Sequence, residues 1–362
     1  MTTAHEKDTE EGQRATVALP RLFGVDAARG IALFGMFAAH TLFGGDEQIF
    51  DGRSSILFAT VAGVSLGLIT GGANPPAPGE RGDARFMVLI RGAVLVPLGL
   101  AMTAFLQPPI AVILDYYGFA FLLLLPVLFL ARPHLGLLCG VVAFAAPPIV
   151  AGLTGAIPFD AVAEAAQVFA RWLFYGEYPV LIWLAFVLVG LLLARSDLRT
   201  RRTAASALVL GVVAAVLGYA SALVIPGVSA EAHSGTTAEV VGSGGVAVAI
   251  IGGLSLLDSA TGVGERVAGA VRFVLSPVAA AGAMALTLYV AQAVALTIIR
   301  ATTDDPERWV VPGWTLPALI VGSLALASFW RRFIGAGPLE AGLRALTRIA
   351  LRETGRPGTG SA

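Results

Sequence analysis

The sequence predicts an all-α protein of the polytopic membrane class, a bundle of about ten transmembrane helices with both termini cytoplasmic. Three observations predict it. Of 362 residues 56% are hydrophobic and only 13% charged, against about 25% charged in soluble domains. The apolar residues fall in blocks of about 18–25, the length needed to cross a hydrocarbon core of about 30 Å as a helix. Lys and Arg are distributed unevenly between alternate connections, as the positive-inside rule requires. Alternation over segments of about 10 residues, the mark of a membrane β-barrel, is absent. The formal net charge is +0, so nothing in the whole chain favours nucleic acid.

Residues 1–20 are polar and mixed in charge (Glu6, Lys7, Asp8, Glu10, Glu11, Arg14) with no apolar core before Arg21, which reads as a disordered tail rather than a cleavable signal. The first helix, 22–43, is then its own targeting signal. The second, 54–71, stops at Gly71-Gly72-Ala73-Asn74-Pro75-Pro76, and the third, 85–106, at Gln107-Pro108-Pro109, Gly and Pro being the strongest breakers. Helices follow at 110–131, 134–155, 178–195, 203–225, 239–257, 276–299 and 314–331; the eighth carries Gly242, Gly244 and Gly245. The lone cysteine, Cys139, sits in an apolar run and reads as a small buried hydrophobe. The tail, the even-numbered connections and the C-terminal segment hold 18 Lys and Arg; the odd connections hold 4, Arg53, Arg171, Arg300 and Arg308.

Two stretches read as amphipathic rather than spanning. In 159–175, Asp160, Glu164, Gln167 and Arg171 share one helical face and Val162, Ala166, Phe169 and Leu173 another, which suits an outer interface. At 338–352, Pro338 fits a first turn and Arg344, Arg348 and Arg352 recur opposite Leu339, Leu343 and Leu346, which suits an anionic cytoplasmic leaflet. The chain thus divides into a tail (1–20), a bundle (21–335) and a basic C-terminal segment (336–362).

Ionisable groups inside spans are costly and mark function by default. Asp26 and Arg29, three residues apart on one side of the first helix, lie near its cytoplasmic start. His40, eleven residues beyond Arg29, lies about 16 Å further along, near the outer interface, followed by Asp46, Glu47, Asp51 and Arg53. Asp115, Tyr116 and Tyr117 fall in the outer third of the fourth helix, Glu177 and Tyr178 at the outer start of the sixth, Tyr289 and Gln292 in the outer half of the ninth. An outer tier (His40, Asp51, Arg53, Asp115, Tyr116, Tyr117, Glu177, Tyr178, Tyr289, Gln292) therefore faces an inner tier (Asp26, Arg29, Arg85, Arg91). Asp115 needs a partner, and Arg53 and His40 are at its depth. His5, His134 and His233 read as solvated. Bland readings stand beside these: a helix-start ion pair for Asp26 and Arg29, an aromatic belt for the tyrosines, a packed imidazole for His40.

The segment Arg21-Leu22-Phe23-Gly24-Val25-Asp26-Ala27-Ala28-Arg29-Gly30-Ile31-Ala32-Leu33 resembles the start of the transmembrane acyltransferase family that includes heparan-α-glucosaminide N-acetyltransferase and the bacterial YeiB-like proteins. Gly52-Arg53-Ser54-Ser55, Tyr116-Tyr117-Gly118, Gly176-Glu177-Tyr178-Pro179 with Trp183, Ala281-Gly282-Ala283-Met284 through Tyr289 and Gln292, and Gly337-Pro338-Leu339-Glu340 resemble later motifs in the same order. The resemblance implies acetyl-CoA, or another acyl-CoA, as cytosolic donor and a sugar or glycan hydroxyl or amine as acceptor on the far side, with no metal. The outer tier supplies the candidates for that transfer: His40, Asp51 and Asp115 as catalytic groups, and Arg53, Tyr116, Tyr117, Glu177, Tyr178, Tyr289 and Gln292 as substrate-binding groups. Asp26, Arg29, Arg85 and Arg91 would meet the CoA phosphates. The lysosomal relative has its catalytic histidine in the first non-cytosolic loop; residues 41–53 here hold none, and His40 falls where that relative has asparagine, so base, nucleophile and hydrogen-bonding roles all stay open for it. Expected partners are membrane lipids, the acyl-CoA and the acceptor, with a homodimer compatible. The near absence of Lys and the richness in Ala and Gly suggest a bacterial plasma membrane. The alternative activity is a transporter or lipid-precursor flippase with an intramembrane polar site; a non-catalytic membrane scaffold is the third reading.

Overall fold

The computed structural model describes residues 21–42, 49–302 and 311–353. The expected tail at 1–20, Asp46, Glu47 and the end of the C-terminal segment lie outside the described residues. Within them the protein is all-α. Thirteen helices follow one another: α1 (Phe23–Thr41), α2 (Arg53–Ile69), α3 (Arg81–Ala101), α4 (Leu114–Leu124), α5 (Arg132–Ala156), α6 (Glu164–Ala170), α7 (Val180–Arg195), α8 (Arg201–Val224), α9 (Thr237–Ser255), α10 (Val263–Gly282), α11 (Ala285–Ala301), α12 (Thr315–Phe333) and α13 (Pro338–Glu353). Among the described residues four helical stretches are long and apolar enough to cross a membrane, Pro78–Leu106, Arg132–Ala156, Arg201–Val224 and Thr237–Ser255, and seven if each of three bent pairs is one span. The outward faces match that environment. On α8, Val209, Leu210, Val213, Val216 and Leu217 are all exposed, and on α5 Leu137, Val141 and Phe144. Apolar surface of that extent is uncommon on a soluble monomer.

Helices approach closely where side chains vanish. A Cβ on Gly63 of α2 would meet the Val187 carbonyl of α7, and one on Gly190 of α7 would meet the Thr60 carbonyl of α2. Without hydrophobic drive between helices in lipid, small residues at the contact give the backbone proximity that dispersion needs. Arg195 closes the same pair at its other end. It is 2% exposed and donates to the carbonyls of Gly67, Thr70, Gly72 and Leu128 at 2.7–3.3 Å and to Thr70 Oγ1 at 2.8 Å. Those are the orphan carbonyls at the end of α2 and after α4.

Three segments depart from the expected helices. Regular helix in the 110–131 stretch is confined to Leu114–Leu124; Pro108 and Pro109 keep the start extended and Pro126 breaks the end into turns. The 159–175 stretch is a short helix, α6, that widens at Arg171–Tyr175, where the Gly176 N–H reaches the Arg171 carbonyl at 2.9 Å. The expected single span at 276–299 is two helices, α10 and α11, meeting at 69°. Partners distant in sequence hold that break. The Glu340 carboxylate accepts from the Leu286 and Thr287 N–H groups at 2.8 and 3.2 Å and from Thr287 Oγ1 at 2.6 Å, capping α11 from the first turn of α13. Gly282 lies so close to α1 that a Cβ there would meet the Asp26 carbonyl. Asp258, after α9, caps α1 in the same manner, its two oxygens accepting from Phe23 and Gly24 N–H at 3.0 and 2.8 Å. Both caps satisfy helix-start donors that no local side chain reaches.

Candidate functional site

The polar groups gather at the two ends of α1. At its start Arg29 donates to Asp26 Oδ1 (2.9 Å), to Ser65 Oγ on α2 (2.6 Å) and to the Gly282 carbonyl on α10 (3.2 Å). The expected pair with Asp26 is present, and the guanidinium also ties three helices together. Arg91, at the middle of α3, has a buried Nε with no hydrogen-bond partner among the described residues. Arg29 and Arg344 lie within electrostatic range of it. Arg85, expected in this group, lies instead with Arg81 over the Phe129 ring, their guanidinium carbons 5.4 and 5.0 Å from its centroid. Arg344 comes from α13, the helix whose basic face suits an anionic leaflet, and here it faces Arg91 as well.

At the far end of α1, His40 Nδ1 lies 2.9 Å from Gln292 Nε2 of α11. The Gln292 Oε1 is buried and has no partner among the described residues. Beyond His40, Asp51 sits in the turn before α2, its Oδ1 accepting from the Gly52 N–H at 2.9 Å and lying 3.2 Å from His233 Nε2. Gly52 is required there twice over, by φ of +63° and because a Cβ would meet Ala232. His233, expected to be solvated, is clamped. Its Nδ1 lies 3.2 Å from the Glu177 carbonyl, and its N–H donates to Glu239 Oε1 at 2.7 Å. A carbonyl and a carboxylate only accept, so both ring nitrogens are placed to donate, which is the imidazolium pattern. Burial pushes the ring toward its neutral form, but the hydrogen bond and charge of Asp51, with Glu177 and Glu239 behind them, raise its pKa above the ordinary value. The His233 hydrogen bond in turn lowers Asp51 against the opposing effect of burial.

Glu239 completes this corner. Its second oxygen accepts from the Gly235 N–H at 2.8 Å and Ser234 Oγ at 3.2 Å, while Thr236 Oγ1 caps its own N–H. Thr236-Thr237-Ala238-Glu239 has the spacing of a capping box, the one signal in the sequence that marks this loop. A cavity of about 250 Å³ opens against it, lined by Glu177, Trp183, Phe186, His233 and Glu239 among others.

The remaining expected residues divide. Asp115 pairs with neither Arg53 nor His40; Trp172 Nε1 donates to its Oδ2 at 2.8 Å, and Oδ1 is buried without a partner among the described residues. The wide turn at 171–175 swings Trp172 into this position, which hydropathy could not foretell. Arg53 donates through Nε to Tyr219 Oη at 2.8 Å, and its guanidinium also lies 5.3 Å from that ring's centroid. Tyr117 donates to the Ser55 carbonyl at 3.1 Å and stacks on Phe58; Tyr289 accepts from the Ile113 N–H at 3.2 Å. Both are buried tethers between helices. Tyr116 and Tyr178 meet edge to face at 5.5 Å, and Tyr178 meets His233 at 5.6 Å. Between the two ends of α1 the side chains of Leu33, Met36 and Phe37 are buried at 0–2% exposure, an apolar packed layer that separates the two polar ends of this helix.

The profile of a family described as "Protein of unknown function (DUF418)" matches residues 190–350. That stretch, in which the chain is similar to the family, takes in His233, Glu239, Asp258, Gln292 and Glu340 and leaves out Arg29, His40 and Asp51. None of the curated proteins matches the chain.

Proposed function

We propose that the protein is an integral membrane acyltransferase, a multi-pass protein of the bacterial plasma membrane with about ten crossings and cytoplasmic termini. It moves an acetyl or other acyl group from a cytosolic acyl-CoA to a sugar or glycan hydroxyl or amine on the extracytoplasmic side. The observation that carries the reading is the excess of guanidinium groups at one end of α1. Arg29 is paired with Asp26, Arg91 lies within electrostatic range of Arg29 and Arg344, Glu340 is the carboxylate beside Arg344, and one buried donor on Arg91 is unused. Like charges in such a setting need an anion, and Arg matches phosphate oxygens by its forked donors. The imidazole lies at the other end of the same helix.

For the chemistry, His40 Nε2 takes the proton of the acceptor hydroxyl as its oxygen attacks the thioester carbonyl. Collapse of the tetrahedral intermediate breaks the C–S bond, and the proton passes from Nε2 to the CoA sulfur. Nε2 is a base only when Nδ1 carries the ring proton, so the Gln292 amide must present Oε1 to Nδ1–H. General-base help of this kind is worth about 10²–10⁴ in rate. The pantetheine arm reaches His40 after the Leu33–Phe37 layer opens, so transfer includes a conformational step.

The test uses full-length protein in nanodiscs with radiolabelled acetyl-CoA and a mixed glycan and lipid extract as acceptor. Arg91→Gln weakens CoA binding in calorimetry, while His40→Ala keeps CoA binding and loses transfer. Gln292→Glu, which can only accept from Nδ1–H, keeps transfer; Gln292→Leu reduces it. Failure of the wild-type protein both to bind millimolar CoA and to transfer label overturns the reading.

A further inference from the structure

A second cavity adjoins the one beside His233. A groove of about 290 Å³ runs between α2, α5, α7, α8 and α9. Phe186 borders both cavities. The one beside His233 has polar walls in Glu177, His233 and Glu239. The groove is walled by small and apolar residues, Gly140, Ala143, Gly244 and Val248 among them, and Leu210 at its rim is 66% exposed. Along α9 the groove extends from Val240 to Val248, about 12 Å at 1.5 Å per residue. It begins at the residue after Glu239, and its length is most of the depth of one leaflet's hydrocarbon, about 15 Å. Polar end, apolar shaft and depth together have the dimensions of one lipid in one leaflet.

We infer that the two cavities form a single site for a lipid with an uncharged, hydroxyl-bearing sugar head, the head beside Glu177 and Trp183 and one chain in the groove. The inference deepens the proposed function by naming the acceptor as a glycolipid rather than a soluble glycan, and rests on that reading only for the transfer step. Three features choose the head. Glu177 and Glu239 share the cavity wall with one imidazole, His233, so carboxylates outnumber the cation among the lining residues, which disfavours phosphate. Both Glu239 oxygens are occupied by donors, so the exposed Glu177 carboxylate is left to accept from hydroxyls. Trp183 and Phe186, 7% and 4% exposed, supply the apolar part of the wall against which the uncharged carbons of a sugar can rest. A chain leaving bulk lipid for the groove gains no hydrophobic free energy, since lipid tails are as apolar as the walls. The groove therefore aligns the chain by packing, and the head supplies selectivity.

The experiment reads binding apart from transfer. Dodecyl glucoside brominated near the head end of its chain is titrated into full-length protein in nanodiscs, and the quenched fluorescence is compared with that of Trp183→Phe. Gly140 has open space at its Cβ position and lines the groove; Gly152, on the same helix, has equally open space and does not line it. Gly140→Leu raises the half-quenching concentration about tenfold, equivalent to about 1.4 kcal/mol, and Gly152→Leu leaves it unchanged. Methyl glucoside competes only at much higher concentration. Equal quenching by brominated phosphatidylglycerol, equal effects of the two glycine variants, or no Trp183-dependent quenching overturns the inference. With acetyl-CoA added, quenching without label in the glucoside keeps the lipid site and refutes its role as acceptor; label in a soluble glycan alone refutes the glycolipid assignment while the acyltransferase stands.

Discussion

Glu340 is the most informative single residue to change, because it holds the break between α10 and α11 from 53 or 54 positions away. Its three hydrogen bonds bind two N–H groups that α11 cannot satisfy and the Thr287 hydroxyl. At about 1.5–3 kcal/mol for each bond to a charged group the simple sum is several kcal/mol. That sum is too large, since Glu340 is only partly buried and water replaces it at the freed donors. Measured losses of helix N-caps, about 0.5–2 kcal/mol, and the charge–dipole share, about 0.3–1 kcal/mol, bracket the real effect better. Glu340→Ala should therefore cost about 2 kcal/mol, roughly thirtyfold in the folded-to-unfolded ratio. Glu340→Gln keeps an acceptor and loses the charge, so it should cost about half of that. Reversible unfolding in mixed micelles with increasing dodecyl sulfate, followed by circular dichroism, measures both. A cycle with Thr287→Val should show coupling of about 0.5 kcal/mol or more. An alanine variant as stable as the wild type, or Gln as damaging as Ala, would refute the capping account.

Three further outcomes follow from the packing and the loop. Gly190→Ala places a methyl against the Thr60 carbonyl and should destabilise by about 1–3 kcal/mol, whereas Gly152→Ala in open space should stabilise by up to about 1 kcal/mol; equal signs in the same micelle titration would contradict the close α2–α7 contact. Arg195→Met leaves the buried carbonyls of Thr70, Gly72 and Leu128 without their donor, while Gly67 keeps the Gly72 N–H, and should cost about 3–5 kcal/mol, read as a fall in melting temperature that Arg195→Lys only partly repairs. The third outcome concerns pH. The raised His233 adds stability that is complete below its ordinary value of 6.5 and is lost as pH rises through its folded value. The lowered Asp51 adds stability present above 3.8 and lost as pH falls through its folded value. Asp51→Asn should thus cost most near about pH 5 and least near about pH 9. The cost stays at about 0.5–1 kcal/mol because the carboxylate is 45% exposed. A pH-independent difference would show that the two are not an ion pair.

Helix positions were legible because hydropathy in a membrane protein is a one-dimensional property. The residues of α1, α2, α7, α8, α9 and α13 fall where composition and breakers place them. Order along a helix was legible too, since 1.5 Å per residue separates Arg29 from His40 on α1 whatever packs beside it. Partners were not. Asp115 took Trp172 in place of a charge because a wide turn at 171–175 delivers the indole, and His233 became a bound cation because α9's capping box folds its loop back onto Asp51. The break at Ala283–Met284 had no local sign strong enough to read: Ala281-Gly282-Ala283-Met284 is as apolar as the span around it.

The sequence by itself determined that the chain is helical, apolar in blocks, and polar near both ends of its helices, since burial in lipid imposes that composition on any spanning segment. Tertiary structure alone decided which donors meet which acceptors, because Glu340 with Leu286, Asp258 with Gly24 and His40 with Gln292 are contacts across 54, 234 and 252 positions. Contacts of that range are set by how helices pack against one another, and no periodicity along the chain encodes it.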